Sequence, residues 1–256
     1  MAMIHMEALK MAGRIIMENG GETYRVEETV TRMGRAFGLR EVESFAVPSG
    51  VFVSFCKENG TTETAVIRVR RKGTNLTRVD EVNRVSRLVE AGEMDVHQAC
   101  ARLQEIENAP LPMSGGKLVA ATAIASAGFA VMFGGDMVDF LIALTMGGLG
   151  QLISFWVEKS SIKGMASTLV GSFVVSMLPM LVRALTGLGH VDAIVAGTLM
   201  PLLPGVAMTN AVQDTLRGDM VSGISSATSA LLTASMIAGG ALAGTAIFRI
   251  LTGGVL

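Results

Sequence analysis

Charged residues are distributed very unevenly along the chain, and this constrains the fold more than any other feature. Residues 1–110 hold 15 of the 21 lysines and arginines and 16 of the 22 aspartates and glutamates, so only 12 charges remain for the last 146 residues. With 50% hydrophobic residues and 30 glycines, the chain is too apolar for an ordinary soluble domain. We therefore expect a soluble part over 1–110 and a membrane part over 111–256, divided near Pro110 and Pro112.

Several classes of partner are not indicated by the composition. The net charge is −1, and no basic stripe with interleaved aromatic residues suggests nucleic acid. Cys56 and Cys100 lack the spacing of a zinc site, so we predict neither a metal nor a cofactor and expect reduced thiols. The opening MAMIHMEALKMAGR acquires charges too early for a signal peptide, which favours a cytoplasmic soluble part.

The soluble part shows two kinds of periodicity. Apolar residues three and four apart predict helices over about 6–18 and 23–37. Alternating patterns in ESFAV, GVFVSF and TAVIRVR predict three antiparallel strands. Two further helices are predicted with Thr77 and Asp95 as N-caps, the second with Gln98 completing a capping box. The result is an α+β domain of ααβββαα order, without a P-loop or a nucleophile elbow.

The membrane part contains five apolar segments that are long enough to cross a bilayer. They lie at about 117–134, 137–157, 165–186, 191–213 and 221–248. The fold class is therefore an α-helical polytopic membrane protein with a small N-terminal cytoplasmic α+β domain. Lys117, Lys159, Lys163 and Arg217 favour an inside N-terminus. Many transporters consist of two related halves, and 117–256 contains no clear repeat, so a missing half would come from another chain.

The fourth segment, in MPLLPGVAMTNAVQDTLRGDM, contains helix breakers in an apolar region. Pro201 lies about ten residues into the segment, which is near the bilayer midplane, and Pro204-Gly205 follows within one turn. Unwound backbone at that depth needs protein or water around it, so two half-helices beside a pathway are favoured. A simple proline kink is the alternative.

Polar residues follow the break on the predicted second half-helix. Asn210 and Asp214 are four residues apart and share a face, Gln213 lies on an adjacent face, and Asp219 lies beyond the helix end. A membrane carboxylate is costly unless it faces water or a partner, which suits a proton or cation carrier. Alternatively, Asp214 sits at the interface and pairs with Arg217 or Arg25. The remaining polar residues are expected mostly near helix ends: Asp136, Asp139, Gln151, Arg183 and Asp192.

Two separated motifs carry a resemblance to a known family. PLLPGVAMTNAVQDTLRGDMVSG resembles the signature of the threonine/serine exporter family, and ENGGETYRVEETV, VPSGVFVSF and RKGTNLTRVDEVNRVSRLVEAG resemble its cytoplasmic domain. Asn19-Gly20-Gly21 departs from the family, which more often has Ser-Gly-Ala there. Family positions map onto Pro201, Pro204, Gly205, Asn210, Asp214, Gly218, Asp219, Glu18, Gly20, Glu22, Tyr24, Arg25 and Glu27. The resemblance implies the large subunit of a split exporter with a second, smaller membrane subunit.

The expected function is that of a secondary exporter subunit in the bacterial inner membrane. The sequence does not decide whether the complex forms a higher oligomer. Its substrate would be a small carboxylate-bearing metabolite, threonine or serine or a dicarboxylate such as succinate, moved by proton coupling. Pro201, Pro204, Gly205, Asn210 and Asp214 would line the pathway. Coupling or gating would fall to Gln213, Gly218, Asp219, Glu18, Glu22, Arg25 and Glu27.

Three alternatives stay open at this point. The chain could be a regulatory or sensing subunit whose partner holds the pathway. Leu216-Arg217-Gly218-Asp219 faintly resembles an intramembrane aspartyl protease loop, although Asp214 and Asp219 lie too close along the chain to face each other as a dyad. The charges of ENGGETYRVE could simply be solvated beside a helix-turn-helix packing.

Overall fold

The computed structural model describes residues 2–57, 59–70, 73–110, 113, 115–159 and 165–252. It forms two compact units. The first comprises Met1–Pro112 with Gly205–Ser229, and the second comprises Met113–Pro204 with Ala230–Leu256. Predictions that involve Pro112 and Lys163 fall outside the described residues.

The N-terminal elements follow the predicted ααβββαα order. They are α1 (Ala2–Glu18), α2 (Thr23–Ala36), β1 (Arg40–Val47), β2 (Gly50–Cys56), β3 (Thr62–Arg68), α3 (Leu76–Glu90) and α4 (Val96–Asn108). The predicted capping box of Asp95 and Gln98 is present at the start of α4. The predicted Thr77 cap is wrong: α3 begins earlier because the Asn75 side chain accepts the N–H of Arg78.

The three strands form an antiparallel sheet in the order β1-β2-β3. Alternate residues of β2 point to opposite faces, so Val51, Val53 and Phe55 are fully buried whereas Phe52 is 41% exposed. The inner face of the sheet and the apolar faces of the four helices share one hydrophobic core. This core fixes the α1–α2 loop and the end of β1, both of which contribute to the site described below.

The apolar half of the chain is helical, as predicted. It consists of α5 (Gly115–Met132), α6 (Met137–Lys159), α7 (Met165–Thr186), α8 (Val191–Leu199), α9 (Gly205–Leu216) and α10 (Met220–Leu251). Four of these helices are long and apolar enough to cross a membrane, or five spans result if α8 and α9 count as one bent span. The fold is therefore that of a multi-pass membrane protein with a small N-terminal α+β part.

The fourth apolar segment is broken where the prolines predicted a break. A short 3₁₀ turn, Met200–Leu202, follows α8, and Leu203 is extended with φ −65° and ψ 138°. A residue before proline disfavours the helical region, so Leu203 cannot continue the helix into Pro204. The chain becomes helical again at Gly205.

Small residues let the helices of the second unit approach closely. A Cβ on Gly197 would lie 2.5 Å from the backbone nitrogen of Ala130, and one on Gly240 would lie 2.4 Å from the carbonyl oxygen of Leu169. Side chains at these two glycines would force the helices apart. The contacts agree with the close packing that small residues allow between membrane helices.

The first unit takes in a segment that the sequence placed with the membrane helices. Residues 205–229, which form α9 and the first turns of α10, group with the N-terminal elements. At 32 residues, α10 is about 48 Å long, well beyond a hydrocarbon core of about 30 Å. Its first turns are therefore not needed to span the bilayer. The extent of the membrane domain stays a prediction.

Candidate functional site

The first unit contains a cavity of about 270 Å³. Its walls come from the α1–α2 loop, the end of β1, the segment before α3, one face of α9 and the first turns of α10. The described lining residues are Met17, Gly20, Gly21, Thr23, Pro48, Gly73, Thr74, Val206, Ala207, Asn210, Asp214, Ser226 and Ser229.

Two buried polar atoms in this lining lack a hydrogen-bond partner among the described residues. Asp214 is 1% exposed and its Oδ1 has no donor, while Thr23 is 2% exposed and its hydroxyl has no partner. The two side chains are neighbours, yet no hydrogen bond of good geometry joins the hydroxyl to the carboxylate. A buried polar group without a partner costs roughly 1–3 kcal/mol, and more when it is charged. Such atoms beside an open space indicate a site for a polar ligand.

The α9 face of the cavity follows from helical spacing. Ala207, Asn210 and Asp214 are three and four residues apart and therefore lie on one side of the helix. The predicted shared face of Asn210 and Asp214 is thus present. Asn210 Nδ2 donates to the carbonyl oxygen of Gly20 at 3.0 Å, which fixes this face against the α1–α2 loop.

The opposite wall is a glycine-containing loop held by backbone hydrogen bonds. Gly20 has φ +85°, a left-handed conformation that favours glycine. The N–H of Gly73 donates to the carbonyl of Glu18 at 2.9 Å, and the N–H of Asn75 donates to that of Asn19 at 3.0 Å. Glu18, predicted as a gating side chain, therefore contributes its backbone oxygen.

The arginines proposed as partners of Asp214 have other partners in the structure. Arg25 Nε donates to Glu22 Oε2 at 2.7 Å, and the Arg217 guanidinium lies 3.5 Å from the centre of the Tyr24 ring. Burial raises the pKa of Glu22, but the hydrogen bond from Arg25 and the charges of both arginines outweigh it and lower the pKa overall. Among the described residues Asp214 therefore has no ion-pair partner.

Glu27 connects α2 with the end of β1. Its Oε1 accepts the N–H of Ala46 at 2.7 Å, while the Ser222 hydroxyl donates to the carbonyl of Ala46 at 3.2 Å. Burial raises the pKa of Glu27 against the lowering effect of the Ala46 N–H, and the negative charges of Asp219 and Asp214 add to the rise. Helix α2 and the first turn of α10 thus hold the same residue of β1.

The other predicted site residues lie outside the lining. Pro201 and Pro204 belong to the second unit, where they shape the break between α8 and α9. Gly218, with φ +94°, allows the N–H of Asp219 to reach the carbonyl of Asp214 at 2.9 Å as α9 ends. The remaining predicted residues absent from the lining are Gly205, Gln213, Glu18, Glu22, Arg25 and Glu27.

Part of the lining was not predicted from the sequence. Thr23, Pro48 and Thr74 come from the N-terminal elements, where no pattern marked them. On α10, Ser226 and Ser229 continue a row that begins at Ser222, with spacings of four and three residues. That row of serines on one helical face is a signal that could have indicated this wall.

Two other polar residues differ from the expectation of an interfacial position near the end of a membrane helix, one in its place along the helix and the other in its burial. Gln151 is well inside α6, where its Oε1 accepts the hydroxyl of Thr122 at 3.3 Å. Asp139 lies in the first turn of α6 but is fully buried. Both belong to the second unit.

Comparison with known proteins places the chain among transporters. The family model ThrE, described as "Putative threonine/serine exporter", matches residues 7–248. A "Probable succinate transporter subunit YjjP" from Klebsiella aerogenes is 25% identical over 90% of this chain and 89% of its own length. The protein of the same name from Escherichia coli K12 is 24% identical over 89% and 88%.

A third relative is longer than this chain. A "Probable threonine/serine exporter" from Mycobacterium tuberculosis is 22% identical over 88% of this chain, which spans only 43% of that relative. No solved structure matches. Because the family model covers nearly the whole sequence, the chain belongs to the threonine/serine exporter family.

Proposed function

We propose that the chain is the large subunit of a secondary exporter and that its substrate binds in the cavity at Asp214. The single observation that carries this proposal is that two neighbouring buried atoms, Asp214 Oδ1 and the Thr23 hydroxyl oxygen, have no partner among the described residues. A second, smaller membrane subunit would supply the remaining spans. The relatives named as subunits support a multi-component transporter.

The chemistry of the cavity favours an amino acid over a dicarboxylate. Among its described lining residues, Asp214 carries the one formal charge, and it is negative. An ammonium group would pair with this carboxylate, whereas a dicarboxylate would bring further negative charge into the same space. Threonine or serine therefore fits this wall better than succinate does.

The same carboxylate offers a route to proton coupling. A buried carboxylate is stable when a cation or a proton neutralises it, so an ammonium group and a proton would compete for Asp214. Release of the substrate outside would then allow Asp214 to take up a proton. Release of this proton to the cytoplasm would leave the carboxylate ready to bind the next substrate. This sequence requires the N-terminal part to be cytoplasmic, as the charge distribution predicts.

The test is flux from proteoliposomes that contain the chain and its second subunit. We expect a pH gradient to drive movement of labelled threonine or serine, and Asp214→Asn to abolish it. Asp192→Asn is the matched control, because Asp192 is an exposed carboxylate in the first turn of α8 and does not line the cavity. Flux of succinate alone would contradict the amino-acid assignment, and normal flux in Asp214→Asn would contradict the site.

A sensing subunit is the second candidate function. It is favoured because residues of the N-terminal elements form much of the cavity wall, as expected when a ligand regulates a pathway located elsewhere. In that case Asp214→Asn would change the substrate concentration at which transport starts but leave the maximal flux intact. Loss of the maximal flux with retained membrane insertion would exclude this alternative.

A further inference from the structure

A buried carboxylate in the second unit is surrounded by donors from two turns of the chain. Asp139 Oδ1 accepts the backbone N–H of His190 at 2.6 Å, and its Oδ2 accepts the N–H of Asp136 at 2.8 Å. The Nδ1 of His190 lies 2.7 Å from the same Oδ2. The α5–α6 turn and the α7–α8 turn are therefore joined through one fully buried side chain.

Glycines at both turns make this arrangement possible. A Cβ on Gly135 would lie 2.8 Å from the carbonyl oxygen of Ala130 and 2.9 Å from Cβ of Asp139. Gly189 has φ +92°, and a Cβ there would lie 2.9 Å from Cδ1 of Ile194. No larger residue fits at either position without displacing a neighbour, so the backbone closes tightly around the carboxylate.

His190 is the exposed part of this cluster. Its side chain is 66% exposed, whereas that of Asp139 is 0% exposed. With Nδ1 directed at Asp139, the other ring nitrogen, Nε2, is left to exchange a proton with water. The ligand atoms of Asp136, Asp139 and His190 lie within 4.8 Å of one another, but both oxygens of Asp139 already accept protein donors.

The charged groups around the imidazole come from each neighbouring element. Asp139 and Asp136 lie in and before α6, Arg183 in the last turn of α7, and Asp192 in the first turn of α8. The hydrogen bond and charge of Asp139 raise the pKa of His190, Asp136 adds to the rise, and Arg183 opposes it. Arg183 donates to the carbonyl of Gly189 at 2.5 Å, which strengthens the same turn.

We propose that Asp139 and His190 form a proton-operated latch that holds the α5–α6 and α7–α8 turns together. When His190 is protonated, its charge neutralises the buried carboxylate and both turns are held. When it is neutral, Nδ1 can still donate, but Asp139 loses its counter-charge and the turns loosen. With the N-terminus inside, both turns face outward, so the latch would report the external pH independently of the substrate cavity.

The sign of the pH effect follows from the direction of the pKa shift. A histidine whose pKa is raised on folding contributes stability that is complete below its unfolded value of about 6.5. That contribution is lost as the pH rises through the folded value. The difference in apparent Tm between the native chain and His190→Gln should therefore be largest below about pH 6.5 and shrink at alkaline pH.

The direct test is NMR titration of the full chain in nanodiscs with labelled histidine. The chain has only three histidines, His5, His97 and His190, so His190→Gln identifies the resonance. We expect the native His190 to titrate above the value of a free imidazole and Asp139→Asn to lower its pKa. Asp136→Asn, a milder change at an exposed carboxylate, should lower it less.

Two results would overturn the latch. One is a His190 that, once its resonance is assigned, titrates at or below the free-imidazole value in the native chain. The other is an unchanged His190 pKa in both carboxylate variants. Neither result bears on Asp214, so failure of the latch is distinguishable from failure of the proposed exporter function.

Discussion

Replacement of Asp214 by asparagine should stabilise the protein, although most substitutions of buried residues destabilise. Asp214 is 1% exposed, one of its oxygens has no donor, and no described cation pairs with it. Burial of an uncompensated carboxylate opposes folding, and the neutral amide removes that cost.

The magnitude follows from the cost of an unsatisfied buried group, roughly 1–3 kcal/mol. For a chain of this size each kcal/mol corresponds to about 2–4 °C in Tm, so we expect the apparent Tm of Asp214→Asn to rise by several degrees. The assay is thermal unfolding of the purified chain in detergent at neutral pH without substrate. Asp80→Asn, at an exposed carboxylate of α3 outside the cavity, is the control and should change Tm little. A lower Tm for Asp214→Asn would refute the view that this carboxylate is uncompensated when no ligand is bound.

Three further substitutions test the surroundings of the site and the helix packing. Glu27→Gln should raise Tm at neutral pH but not below about pH 4.5. The reason is that a carboxyl group whose pKa is raised on folding loses its stabilising contribution as the pH rises. A difference in Tm between the native chain and Glu27→Gln that stays constant across a pH series of unfolding curves would contradict this. Tyr24→Leu removes the stacking of Arg217 on the ring and should destabilise the protein by about 0.5–1 kcal/mol at this exposed contact, measured as the shift in Tm. If Tyr24→Leu shifts Tm equally in the native chain and in an Arg217→Ala variant, the contact contributes nothing. Gly240→Ala should reduce the yield of folded protein in size-exclusion chromatography because the added Cβ would collide with the backbone of a neighbouring helix. Gly239→Ala is the control and should be tolerated, because the Cβ added there would point into open space. Equal yields of the two variants would contradict the packing.

Local patterns predicted the secondary structure well because each depends on neighbouring residues. The two prolines at Pro201 and Pro204 break the helix through their own backbone chemistry, and the structure confirms the break. The Asp95–Gln98 capping box is likewise local. The start of α3 was missed because both Asn75 and Thr77 can cap a helix, and the sequence offers no reason to choose between them.

The composition of the cavity depends on contacts between distant residues. Asn210 meets Gly20 across 190 positions of sequence, and Ser222 meets Ala46 across 176. Helical spacing placed Asn210 and Asp214 on one face, but it could not show which wall that face meets. The family resemblance indicated Gly20, but its contact with Asn210 emerged only from the structure. The same holds for the lining residues Thr23, Pro48 and Thr74.

The burial of Asp139 shows the same limit. Its position in the first turn of α6 suggested an interfacial carboxylate, because helix ends usually meet water. Its burial depends on Gly189 and on His190, which is 51 residues away and belongs to another turn. An interpretation that treats each apolar segment separately cannot reveal such a pair.

The most direct test of the substrate site is protection of a single cysteine in the cavity. Ser226→Cys would be introduced on α10 into a chain whose Cys56 and Cys100 have been replaced, with Thr77→Cys, an exposed position outside this cavity, as the control. We predict that threonine or serine slows alkylation of the cysteine at position 226 and leaves the control unchanged, and that Asp214→Asn removes this protection. Equal alkylation rates at position 226 with and without every candidate substrate would contradict the assignment of this cavity.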